Sequence, residues 1–89
     1  MTIVGTRPEL IKLSRVIAEL DRCFTHVLVH TGQNYDDELN RVFFEELEIR
    51  QPDHYLGVAA STAASTVARI IEKSDAILAQ ERPDALLIY

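Results

Sequence analysis

Arg7 and Lys12 are the residues whose type and place most suggest chemistry, because both crowd the start of a helix. The apolar run Thr2–Val4 stops at Gly5, and Gly5-Thr6-Arg7-Pro8-Glu9 then joins a strand to a helix. Thr6 suits the N-cap, Pro8 the first turn, and Glu9 the acidic position of a capping box. Backbone N–H groups and the helix dipole at such an N-terminus favour an anion. A lysine there opposes the dipole by a few tenths to about 1 kcal/mol, and an anionic ligand turns that penalty into an attraction. The competing explanation is that Lys12 pairs with Glu9 or is simply solvated. The loop is neither the glycine-rich dinucleotide fingerprint nor the P-loop, so neither NAD nor ATP is indicated and no cofactor is implied.

The other polar groups have simpler accounts. His26 and His30 fall on one face of a regular strand, but no third ligand accompanies them, so a packed or hydrogen-bonded histidine is expected rather than a metal site. His30 does lie at the functional end of its strand. Asp36, Asp37 and Glu38 suit a helix N-terminus without a cation. Phe43-Phe44 is expected to be core on one side and domain interface on the other. Ser61 or Thr62 caps the next helix, with Ser65 and Thr66 behind. Cys23 stands alone, which excludes an internal disulfide and a cysteine zinc site. No Ser-His-Asp or Cys-His arrangement is legible.

These residues need elements to hold them. Leu10, Leu13, Ile17 and Leu20 recur at helical spacing, with Ile11 and Val16 widening the stripe, and the helix ends near Asp21-Arg22. Phe24–Thr31 is expected to be a strand whose continuous Val27-Leu28-Val29 run suits burial on both faces. After the loop from Gly32, a second helix buries Leu39, Val42, Phe43 and Leu47. His54-Tyr55-Leu56 suits a short strand, and a third helix over Thr62–Glu81 turns Val67, Ile70, Ile71, Ile77 and Leu78 inward. Ala85–Tyr89 forms a final buried strand. Alternation of this kind predicts an α/β fold with a doubly wound, Rossmann-like parallel sheet, whose ligands sit beyond the carboxyl ends of the strands.

Composition narrows the partners. Nine Lys and Arg against fourteen Asp and Glu leave a net charge of −5, which gives nucleic acid and anionic lipid no electrostatic grip. With 47% apolar residues a packed core is expected, and 89 residues suit one small domain. No apolar run reaches membrane-spanning length and no signal-like stretch leads the chain, so a cytoplasmic domain is the expectation.

Several motifs, in order, resemble one family. Gly5-Thr6-Arg7-Pro8-Glu9-Leu10-Ile11-Lys12-Leu13 is similar to the opening of bacterial, non-hydrolysing UDP-N-acetylglucosamine 2-epimerases. Thr31-Gly32-Gln33 with Tyr35, then Phe43–Ile49, then Pro52-Asp53, match further landmarks. Arg82–Tyr89 resembles the strand that leads to the family's Gly-Asp-Thr turn. The Thr-Gly-Gln-Asn-Tyr-Asp form at Thr31–Asp36 is most similar to the branch making UDP-N-acetyl-L-fucosamine or related capsule and O-antigen sugars. Asn34 stands where many members carry a His tied to allosteric nucleotide-sugar binding, which argues against that regulation here.

The resemblance implies a glycosyltransferase-B-like pair of Rossmann-like domains, with residues 1–89 forming part of the N-terminal one and the second domain absent. It implies a homodimeric parent enzyme that inverts C2 of a UDP-N-acetylhexosamine. The C2 proton is removed, UDP leaves anti to give a 2-acetamidoglucal, and UDP adds again to the other face. Arg7 and Lys12 then correspond to substrate-binding residues, with Gly5, Thr6 and Gln33 as weaker loop candidates. The catalytic Asp would follow Tyr89, so no catalytic residue is expected within this chain, which alone should be inactive. A complete non-catalytic α/β module that binds nucleotides or proteins, and a UDP-sugar glycosyltransferase fragment, are the alternatives.

Overall fold

Short parallel strands pair in the spatial order β3-β2-β1-β4, from β1 (Thr2–Val4), β2 (Leu28–His30), β3 (His54–Tyr55) and β4 (Leu87–Ile88). Between them run α1 (Arg7–Cys23), α2 (Asp37–Glu46) and α3 (Ala63–Glu81). The structure is a computed structural model describing residues 1–32 and 37–89, with the side chains of 37–40 and 43 excepted. In register, Thr2 lies between Leu28 and Leu87, and Val29 lies beside His54. The chain steps one way from β1 through β2 to β3, then doubles back past both to place β4 on the far side of β1. A right-handed crossover therefore puts α1 and α2 on one face and α3 on the other. The expected doubly wound α/β sheet is what forms.

Packing follows this division. Val4 and Leu28 face α1 and α2, joining Leu10, Leu13, Ile17, Phe44 and Ile49 in one buried cluster. Their neighbours Ile3 and Val29 point the other way, toward Leu56, Val58, Ile70 and Ile77. At the amino ends of the strands, Arg50 ties three segments together. Its guanidinium reaches Asp21 at 3.1 Å, Asp53 at 3.0 Å and the His26 carbonyl at 2.9 Å. Burial opposes ionisation of Asp53, but the Leu28 amide at 2.8 Å and the Arg50 charge outweigh it and hold its carboxyl below the usual range.

Several expectations need correction. The strand expected over Phe24–Thr31 pairs only over Leu28–His30, because β1 offers partners only from Thr2 onward. Phe24 instead caps α1 with an extended backbone and lies exposed. Among the described side chains of α2, Phe44 is buried, 2% exposed, while Val42 faces outward. The chain turns back after the helix, with the Ile49 amide bonded to the Phe44 carbonyl at 2.9 Å, and this sets the buried face. Leu39 and Phe43 lie outside the described side chains. On α3, Ile70 and Ile77 pack on the sheet and Leu78 is half-buried, but Val67 and Ile71 are 54% and 66% exposed. At 3.6 residues per turn these two sit about 60° and 100° off the line through Ile70. The final strand is not buried: it pairs over Leu87–Ile88 with β1 alone, and Ile88 is 65% exposed.

Candidate functional site

In a doubly wound sheet, ligands bind beyond the carboxyl ends of the strands, where the winding direction reverses. The strand order places that reversal between β1 and β4. The segments leaving this pair are Gly5-Thr6-Arg7 after β1 and Tyr89 after β4. The loop singled out in the sequence thus lies at the position where the topology calls for a ligand.

Local chemistry shapes the loop. Thr6 is the extended N-cap of α1 and Pro8 sits in its first turn. Glu9 folds back so that one carboxylate oxygen accepts from the Gly5 amide at 2.6 Å and the Thr6 amide at 3.0 Å. The expectation that these amides await an anion is therefore corrected: the capping carboxylate already occupies them. Glu9 is committed to this role, so the competing explanation by a Lys12–Glu9 pair is not what forms either. The loop becomes a rigid turn, and its capacity for an anion rests on the Arg7 and Lys12 side chains with the helix dipole.

Arg7 begins α1 and is half-buried. Lys12 is exposed further along the helix and reaches across the switch point. Its ammonium donates to the Tyr89 hydroxyl and lies 4.8 Å from the centre of that ring. This contact joins the first helix to the last strand and was not legible in the sequence, where 77 residues separate the pair. Gly5 and Thr6 stand in the same turn as Arg7. Gln33 lies outside the described residues, as do Asn34, Tyr35 and Asp36.

The remaining candidates are otherwise engaged. His26 is held between the Thr2 hydroxyl and the Asp21 carboxylate, each at 2.7 Å. His30 is buried at the end of β2, where its Nδ1 accepts from the Gly32 amide at 3.0 Å. Among the described residues, no three His, Cys, Asp or Glu side chains converge as metal ligands. Thr62 caps α3 by accepting from the Ser65 amide at 3.1 Å. No described helix is long and apolar enough to cross a membrane. Among the described residues, what the switch point offers is two cations, an aromatic hydroxyl and a turn whose one carboxylate, Glu9, is engaged by backbone amides, a set suited to holding a phosphorylated ligand.

A family profile described as UDP-N-acetylglucosamine 2-epimerase matches residues 18–89. A UDP-N-acetylglucosamine 2-epimerase homolog of Methanococcus maripaludis is 40% identical over 89 residues, covering all of this chain and 25% of the relative. The structure of UDP-N-acetylglucosamine 2-epimerase from Rickettsia bellii superposes with a TM-score of 0.87 at 58% identity, over 100% of this chain and 24% of that one. A Methanocaldococcus jannaschii UDP-GlcNAc 2-epimerase in complex with UDP-GlcNAc and UDP superposes with a TM-score of 0.88 at 32% identity, covering 98% and 24%. The chain therefore spans about a quarter of the length of these relatives.

Proposed function

The chain belongs to the UDP-N-acetylglucosamine 2-epimerase family, and from that premise we propose that it is the first part of the N-terminal domain of a longer, two-domain epimerase. That enzyme inverts C2 of a UDP-N-acetylhexosamine by anti elimination of UDP and re-addition. Within this segment the role is binding. Arg7 and Lys12 hold the diphosphate and steady its charge as UDP departs, which is where fixed cations lower the barrier most. The acids that move the C2 proton come from later in the sequence. The proposal extends, on the Thr31–Asp36 motif, to UDP-N-acetyl-L-fucosamine or a related capsule or O-antigen precursor, made in the cytoplasm by a homodimer. The charge of −5 gives no support to a nucleic-acid or membrane partner.

One observation carries this reading: the strand order that makes the β1–β4 boundary the switch point, with Arg7 and Lys12 beside it. The test is kinetic. In the full-length protein, Arg7→Ala and Lys12→Ala should each lower kcat/KM for the UDP-sugar roughly ten- to a hundredfold, the usual loss for a charge-assisted phosphate contact. Wild-type kinetics in both folded variants would remove these residues from the site.

A further inference from the structure

His30 is buried at the carboxyl end of β2, 1% exposed, in a place where a simple apolar residue would fill the same space. Its ring stacks on Tyr55, nearly parallel with centroids 5.4 Å apart, and meets the edge of Phe44 at the same distance. Its Nδ1 accepts from the Gly32 amide at 3.0 Å. An Nδ1 that accepts carries no proton, so the neutral ring bears its hydrogen on Nε2. This hydrogen bond closes a tight turn over Thr31, in which Gly32 adopts a φ of +67°.

That turn is coupled to the anion loop by the backbone. The Thr31 amide donates to the carbonyl of Val4, the residue directly before Gly5, at 2.9 Å. On the other side, the Val58 amide donates to the Thr31 carbonyl at 3.0 Å and the Ala59 amide to the Gly32 carbonyl at 3.2 Å. The Leu56 amide bonds the His30 carbonyl at 2.9 Å. One continuous ladder therefore runs from residues 56–59 through the turn to the foot of the Gly5–Arg7 loop.

We infer that His30 is a positioning residue for nucleotide-sugar binding, which fixes the Thr31–Gly32 turn through Nδ1 and thereby sets the height of the Gly5–Arg7 loop at the switch point. The inference rests on the nucleotide-sugar reading above and adds a residue to it that touches no ligand. Asn and Phe separate the parts of the role. The oxygen of an asparagine can take the place of Nδ1 as acceptor, whereas phenylalanine keeps the ring and loses the acceptor.

The experiment uses the full-length protein with His30→Phe and His30→Asn, measuring epimerisation of UDP-N-acetylglucosamine and, separately, UDP affinity by calorimetry. His30→Phe should raise KM and weaken UDP binding roughly tenfold or more, as expected when a binding group is displaced by a fraction of an ångström. His30→Asn should recover most of that loss. A merely structural role would reduce the folded fraction and the apparent kcat while KM and the UDP Kd stayed put, and that result would overturn the inference. So would an asparagine variant no better than the phenylalanine one. Ring nitrogen shifts of wild-type His30 do not depend on any variant folding: an unprotonated Nδ1 is expected, and a protonated Nδ1 would overturn the inference. If the wild type binds UDP but does not epimerise UDP-N-acetylhexosamines, the functional reading fails while the UDP measurements still decide the role of His30.

Discussion

Replacing Gly32 with alanine should destabilise the protein by more than the same change at Gly57, although both glycines have positive φ. Gly32 sits at +67° and Gly57 at +62°, so the conformational penalty is nearly shared, about 1 to 2 kcal/mol for a residue with a Cβ. The surroundings differ. A Cβ on Gly32 would lie 2.7 Å from Cζ of Tyr55, 2.8 Å from its hydroxyl and 2.9 Å from the Gly57 nitrogen. The nitrogen is backbone and cannot swing aside, and the Tyr55 ring is stacked on His30. A Cβ on Gly57 meets only Tyr55 Cε1, at an ordinary 3.8 Å. Overpacking of the first kind costs about 1 to 3 kcal/mol, so Gly32→Ala should lose about 2 to 5 kcal/mol in total. Native proteins are stable by only about 5 to 15 kcal/mol, so this is a large share. The assay is urea unfolding of both variants in the full-length protein. Because the slope of stability against urea is shared by the two variants, the Gly32→Ala midpoint should lie below the Gly57→Ala midpoint. Coincident midpoints would show that close approach to Tyr55 and Gly57 plays no part in the choice of glycine at position 32.

Glu9→Ala should cost about 1 kcal/mol in thermal or urea stability by leaving the Gly5 and Thr6 amides uncapped, and an unchanged midpoint would count against the capping geometry. Asp53, whose folded pKa lies below the ordinary carboxylate value, contributes stability that is complete above that value and lost as pH falls through the folded one. Asp53→Asn should therefore lower the urea midpoint at neutral pH and leave it nearly unchanged in strong acid, whereas a pH-independent difference would contradict the ionic account. The 89-residue chain expressed alone should bind a hydrophobic dye and self-associate through Phe24, Ile71 and Ile88, and it should turn over no UDP-sugar; a monomer with dispersed amide signals and a sharp urea transition would refute the first expectation.

Features governed by near neighbours are legible in the amino-acid sequence. The strand Thr2–Val4, the Thr6 and Thr62 caps and the Glu9 return contact depend on residues within four positions of one another. The alternation of elements was likewise enough for the parallel, doubly wound sheet. What escaped depends on residues far apart. Apolar side chains at Val67, Ile71 and Ile88 mark surfaces suited to burial, but whether they are covered depends on which neighbour the sheet supplies. The strand lengths are set by partners: Phe24 is as apolar as Leu28, yet no part of β1 lies beside it. At the site, the cations of the first loop could be named from their position on a helix start. Their relation to Tyr89, 77 residues away from Lys12, required the fold.

Beside Thr2 lies Leu87, and the two join β1 to β4, strands about 85 residues apart in the chain. During synthesis β1 emerges ahead of β2 and β4 and gains β2 within some 25 residues, but its other side stays open until β4 emerges. At about 5 to 20 residues per second, that interval is roughly 4 to 17 seconds. Throughout it the centre of the sheet carries an unpaired edge, the kind of surface on which a nascent chain pairs wrongly with another copy. The Met1 nitrogen then donates to the Ala85 carbonyl at 2.9 Å and the Leu87 amide to the Met1 carbonyl at 2.8 Å. The same late event brings Tyr89 to Lys12. The Lys12–Tyr89 contact across the switch point therefore cannot form before β4 has paired with β1.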